Sequence, residues 1–113
     1  MNTRTVVPAL LLASIALVAA SGAHAADETA LAKTRKCGSC HAMTDKMVGP
    51  SFKSIATKYA GQKDAELAAT EARLAKKIRE GGSGVWGVVP MPANPDVTND
   101  EAKRLVQWVL QQK

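Results

Sequence analysis

Cysteine, histidine and aromatic residues are all scarce in this 113-residue chain: two Cys, two His, one Phe, one Tyr and two Trp. Two cysteines three positions apart cannot make the framework of a disulfide-stapled secreted fold. A structural zinc site takes about four Cys or His ligands. Only four such residues exist, and His24 lies in a segment expected to be removed. A single apolar run is long enough to notice, which argues against a polytopic membrane protein. So few aromatics offer no stacking surface for nucleic acid. The length allows one domain and argues against a parallel-sheet enzyme.

The apolar run sits at the start, in MNTRTVVPALLLASIALVAASGAHA. Arg4 supplies a positive n-region, Val6 to Ala20 the apolar region, and Ala23-His24-Ala25 a small-x-small cleavage site, the pattern of a secretory signal peptide. As a helix the apolar part would span about 22 Å, short of the roughly 30 Å hydrocarbon core. The expectation is a signal peptide over 1–25, cleaved after Ala25, leaving a domain over 26–113 in the periplasm with no membrane anchor. Export removes Arg4 and no acid, so the formal charge of +5 becomes +4. His41 is then the only histidine. Much of the remaining apolar content is alanine, so the core is starved of large side chains, and a cofactor, metal or partner is expected to complete it.

The pattern along 26–113 is helical, and the expected class is all-α. Asp27 is expected to cap a first helix, with Glu28 in its first turn and Ala30 and Leu31 buried. A second helix is expected to start at Pro50, with Phe52, Ile55, Ala56 and Tyr59 on one face and Gly61 at its end. A third covers Asp64 to Glu80, with Leu67, Leu74, Ala75 and Ile78 on one face and Gly81-Gly82 stopping it. A fourth follows the capping box Thr98-Asn99-Asp100-Glu101 and carries the stripe Ala102, Leu105, Val106, Val109, Leu110. Between the last two lies the Gly- and Pro-rich stretch 81–97. Beyond the short Val88-Val89 it shows no strand pattern, and a loop of that length is often functional.

Cys37-Gly38-Ser39-Cys40-His41 is a CxxCH motif. Two thiols on one turn can each add to a vinyl group of the same haem, and the next residue then lies beneath the ring with a nitrogen for iron. A plain CxxC dithiol is the competing reading, but it calls for a thioredoxin-like βαβ context that this sequence lacks. Candidates for the second axial position are Met43, Met47 and Met91. Met43 is too near His41 to leave its side of the ring, and Met47 has a strained path. Met91 lies far downstream between Pro90 and Pro92, which stiffen the backbone around it. His41 and Met91 are therefore the expected iron ligands of one covalent haem c, with Met43 and Met47 as packing residues. Such iron has no open coordination site, which favours electron transfer over catalysis. If Met91 stayed off the iron, a five-coordinate gas-binding haem protein would be the alternative.

With these residues in view, the chain resembles the small bacterial class I cytochromes c, the cytochrome c-551/c-552 group. The stretches that carry the resemblance are KCGSCHAM, KMVGPSFK, KYAGQ, GGSGVWGVVPMP and TNDEAKRLVQWVLQQK. The resemblance implies about four short helices around the haem. It implies that the Pro50 carbonyl accepts the ring N–H of His41, and that Trp86 and Lys77 bind haem propionates. It also implies that Asn94 hydrogen-bonds within the methionine loop. Departures are a longer KDAELAATEAR segment, one extra residue at Pro95-Asp96, and Ala32 where some relatives carry a large aromatic, a space Val106 or Trp108 is expected to fill. The partners implied are redox proteins, donor and acceptor, for a monomer. Lys46, Lys53, Lys58 and Lys63 follow the haem motif and are candidates to steer an acidic partner.

Overall fold

The computed structural model describes residues 21–113. It contains four α-helices: α1 Ser21–Thr34, α2 Phe52–Lys58, α3 Asp64–Glu80 and α4 Asn99–Leu110. A 3-10 turn, Cys37–Ser39, follows α1, and a two-stranded antiparallel hairpin, β1 Gly82–Gly84 and β2 Gly87–Met91, follows α3. The all-α expectation holds, with this hairpin as its one exception among the described residues. Residues 1–20 of the expected signal segment lie outside the described residues, and the expected cleavage point after Ala25 falls inside α1. No helix among the described residues is long and apolar enough to cross a membrane.

α4 is the hub: α1, α2 and α3 each pack against it. Its start was legible because Thr98 and Glu101 form a complete capping box, the Thr98 hydroxyl accepting the Glu101 N–H and the Glu101 carboxylate accepting the Thr98 N–H. Two orphan donors of the first turn are thereby satisfied. Ala102, Leu105, Val106, Trp108 and Val109 are buried along it. The main core cluster joins Ala32, Phe52, Val97, Ala102, Leu105, Trp108 and Val109. Trp108, and not Val106, therefore shares the core with Ala32.

Several boundaries depart from the sequence reading. Asp27 does not cap α1, because the helix begins at Ser21 and runs through it. Glu28 is buried mid-helix, where the Arg104 side chain on α4 donates to its carboxylate at 2.7 Å. Ala30 is exposed and Leu31 half-buried; Ala32 is the buried residue of that turn. α2 begins at Phe52, two residues after Pro50, since Ser51 is the N-cap and its hydroxyl accepts the Ser54 N–H at 3.0 Å. A short hydroxyl that satisfies an orphan donor outcompetes proline's pre-set φ for this boundary. α2 ends with Tyr59 at the C-cap, and Gly61 takes its left-handed φ of 83° two residues later. α3 spans the expected residues, but Leu67, Leu74, Ala75 and Ile78 are only half-buried, and Thr70 is its one buried side chain.

The short Val88-Val89 signal falls within β2, but the hairpin as a whole was hidden because its turn and first strand are glycine-rich. Gly82, Gly84 and Gly87 hold φ between 110° and 120°, a range open to glycine alone. They shape the turn by backbone freedom and leave no alternating side-chain pattern to read.

Candidate haem site

α1 ends in a sharp change of direction. Lys36 adopts a left-handed φ of 59° immediately before Cys37, a conformation disfavoured for a residue with a Cβ. The chain then enters the 3-10 turn that holds Cys37 and places Cys40 one turn on. Both cysteines are free and half-buried. Burial pushes the Cys37 thiol above the usual range.

His41 is fixed from several directions. Its Nδ1 lies 2.7 Å from the Pro50 carbonyl oxygen. A carbonyl only accepts, so Nδ1 carries the hydrogen and Nε2 is left with a free lone pair, the form that binds metal. Gly49 lies against the ring: a Cβ there would collide with Cε1 and stand 2.8 Å from Nδ1. Phe52 stacks on the imidazole with centroids 5.5 Å apart and planes 22° apart. The loop between is pinned by Gly49 N–H to the Cys40 carbonyl, Phe52 N–H to the Ala42 carbonyl and Lys53 N–H to the Met43 carbonyl.

Met91 closes β2 and is half-buried. The chain after it packs on the end of α3. Gly81 caps that helix with φ 72°, and a Cβ there would meet the Met91 carbonyl and stand 2.7 Å from the Ala93 nitrogen. Asn94 donates its N–H to the Ile78 carbonyl at 3.1 Å. Its side-chain amide does not bond within the loop but donates to the Arg35 carbonyl at 3.1 Å. The methionine loop is thus tied to the segment leading into Cys37. Arg79 adds a second tie, to the Val97 carbonyl and the Asn99 side chain. Sequence reasoning missed Arg35, Arg79 and Glu101 as supports of this region, because partners so far apart in the chain leave no local pattern.

Trp86 sits at the hairpin turn, exposed, over a hollow of about 410 Å³ shared with Thr44, Ser51, Lys53, Ser54, Thr57 and Lys58. The Lys58 ammonium stands 5.6 Å from its ring centroid. Lys77 is half-buried on α3, and its ammonium lies near Gly82 at the start of the hairpin. Lys46 and Lys63 are exposed and do not line the hollow.

The residues present fit a haem. The exposed large apolar side chains among the described residues are Met43, Met47, Val48, Val85, Trp86, Val88 and Val89, with Val88 91% exposed. All fall in two segments, the loop after His41 and the hairpin before Met91. Single exposed apolar residues are ordinary, but seven gathered in two segments call for a covering group. No group of three or more His, Cys, Asp or Glu that could hold a bare metal ion occurs among the described residues. A porphyrin brings its own four nitrogen ligands, so one imidazole and one thioether suffice from the protein.

The cytochrome c family model matches residues 25–113. Cytochrome c-551 of Pseudomonas aeruginosa is 47% identical over 92% of this chain and 94% of its own length. Cytochrome c-552 of Hydrogenobacter thermophilus is 49% identical over 85% of this chain and 91% of its own. The crystal structure of wild-type Nitrosomonas europaea cytochrome c552 superposes with a TM-score of 0.66 at 46% identity, covering 75% of this chain and 99% of that one. With its fold, its haem-motif turn and this similarity, the chain belongs to the cytochrome c family, class I in fold, as a small electron carrier and not an enzyme, with one covalently bound haem c.

Proposed function

We propose that this chain is exported, loses residues 1–25, and relays single electrons between redox proteins of the periplasm, with His41 and Met91 as the iron ligands. The observation that carries the reading is the 2.7 Å contact of His41 Nδ1 with the Pro50 carbonyl. It commits the ring to the tautomer whose Nε2 is free for iron, on the residue directly after the cysteine pair. The bound haem supplies a one-electron couple. Cys37 and Cys40 would hold it through two thioether bonds. The Pro50 carbonyl fixes the imidazole and raises its basicity as a ligand. Met91 brings a neutral thioether on a chain stiffened by Pro90 and Pro92 and packed on Gly81, so little need reorder when the charge on the iron changes. Trp86 and Lys77 bind the propionates through an indole N–H and an ammonium.

Lys53 and Lys58 flank Trp86 and favour an acidic partner surface at that edge. The test is the visible spectrum of protein purified from cells that mature c-type cytochromes, oxidised and reduced. A low-spin c-type spectrum with the weak far-red sulfur-to-iron(III) band is expected. Haem without that band, with rapid carbon monoxide binding to the reduced protein, would take Met91 off the iron and point to a five-coordinate gas-binding protein. No covalent haem would overturn the reading.

A further inference from the structure

The His41 imidazole begins a chain of rings that the electron-carrier reading does not use. Phe52 stacks on it, and Trp108 meets Phe52 edge to face, with centroids 5.1 Å apart and planes at 69°. Phe52 and Trp108 are both buried, and both belong to the main core cluster with Leu105 and Val109. Phe52 cannot recede from the imidazole without moving the indole behind it, and the indole is held in the packed face of α4. Interiors of native density resist such displacement.

The Pro50 hydrogen bond alone cannot lock the ring. Carbonyl oxygens accept over a broad range of directions, so one bond anchors an edge and leaves the ring free to rock about it. A flat face against a flat face removes that freedom, and edge-to-face packing is a preferred arrangement of aromatic pairs. Gly49 keeps the space beside the ring clear of a Cβ, so the imidazole can lie flat against the phenyl.

We propose that Phe52, backed by Trp108, is a positioning residue that sets the rotation of the His41 imidazole plane. This rests on the reading of His41 as an iron ligand. The plane of the axial imidazole, together with the orientation of the thioether opposite, would set which of the two iron π-orbitals carries the unpaired electron in the oxidised state. That choice spreads spin unevenly over the four haem methyl groups. A ring that rocks averages the unevenness away.

The test is proton NMR of the oxidised holoprotein. Phe52→Leu keeps apolar bulk and removes the flat face; Phe52→Tyr keeps the face. Phe52→Leu should narrow the spread of the four methyl resonances or reorder them while the far-red band persists, and Phe52→Tyr should restore the native pattern. Trp108→Leu should move the pattern the same way by less, and it carries the test should Phe52→Leu fail to accumulate. Leu105→Ala, in the same core but away from the imidazole, should lower the melting temperature and leave the methyl pattern alone. A native pattern in Phe52→Leu, or an equal change in Leu105→Ala, overturns the proposal. Failure of the ligand reading looks different: the unsubstituted protein would then show no low-spin spectrum and no hyperfine-shifted methyl set, which removes the proposal with it.

Discussion

Arg35 places one terminal guanidinium nitrogen 2.8 Å and 2.9 Å from the two carboxylate oxygens of Glu101. The pair joins the residue two before Cys37 to the first turn of α4. The same carboxylate closes the α4 capping box on the Thr98 N–H, and the same arginine offers its carbonyl to Asn94 beyond Met91. The segment entering the haem motif is therefore tied to the hub helix on one side and to the methionine loop on the other.

Glu101 separates two contributions that the structure combines. Glu101→Gln keeps an acceptor for the Thr98 N–H but loses the charge; Glu101→Ala loses both. Ion pairs within reach of solvent contribute little, while a lost capping interaction is felt. The melting temperature should therefore fall slightly for Glu101→Gln and clearly further for Glu101→Ala. The hydrogen bond from Arg35 holds the Glu101 carboxyl below its ordinary range, with the Thr98 backbone N–H next in effect. A depressed folded-state value gives stability present above the unfolded carboxylate value, about 4.3, and lost as pH falls through the folded one. The gap in melting temperature between the native chain and Glu101→Gln should thus be full at neutral pH and close on acidification below about pH 4.

Gly49→Ala tests the space beside the His41 ring. Gly49 does not use a left-handed φ, so alanine brings no backbone strain, and the effect isolates the clash with His41. The imidazole must swing off the Pro50 carbonyl or the loop must open. The expected outcome is a sharp fall in low-spin haem absorbance per unit of protein, read in the oxidised spectrum. Gly38→Ala, where an added Cβ meets nothing within 4 Å, should leave that ratio unchanged.

Asn94→Ala removes the tie between the methionine loop and the Arg35 carbonyl. Leaving a part-buried carbonyl unpaired costs about 1–3 kcal/mol, and that loss falls on the loop that carries Met91. The far-red band should weaken at a lower temperature than in the native chain, and carbon monoxide should bind the reduced protein faster. Unchanged temperature dependence of the band would show that Gly81 and the backbone bond to the Ile78 carbonyl hold the loop without the Asn94 side chain.

What was readable in the sequence was what is local. The CxxCH turn, the Thr98 capping box and the span of α3 each follow from neighbours along the chain or from a short motif, whereas the ring bond of His41 to Pro50 was implied only by the family resemblance. The contacts that tie these parts together were not readable. Arg35 with Glu101, Glu28 with Arg104 and Asn94 with Arg35 join residues from opposite ends of the domain, and charged residues on helices look alike whether paired or solvated. Asp27 was misread for a related reason: an acid near an expected cleavage point looks like a cap until the helix is seen to start before it. The hairpin stayed hidden because glycine directs it by φ and leaves no side-chain pattern. Phe52 was legible as a core residue on the apolar face of α2, but its stacking on His41 depends on how the loop 42–51 folds back.

Lys53 and Lys58 offer a decisive test of the partner surface. Both line the hollow under Trp86, and Lys58 reaches over the indole ring as well as standing 5.9 Å from the Tyr59 centroid. Charges at such an edge act on encounter rate, and salt screens them over about 10 Å at 0.1 M ionic strength. With an acidic redox partner, the double variant Lys53→Glu, Lys58→Glu should lower the second-order electron-transfer rate constant at low salt by roughly tenfold or more. The fall in rate with added salt should flatten or reverse. Reversal at Lys58 also disturbs the contact with Trp86, so Lys58→Met is needed beside it: loss of one charge should give a smaller change in the same direction. Lys103→Glu, in the groove between α3 and α4, reverses one charge away from Trp86, as each member of the double variant does beside it, and should barely alter the rate. If the three variants slow the reaction in proportion to the charge each removes, wherever it lies, net charge alone governs the encounter, and Lys53 and Lys58 are an ordinary solvated face of α2.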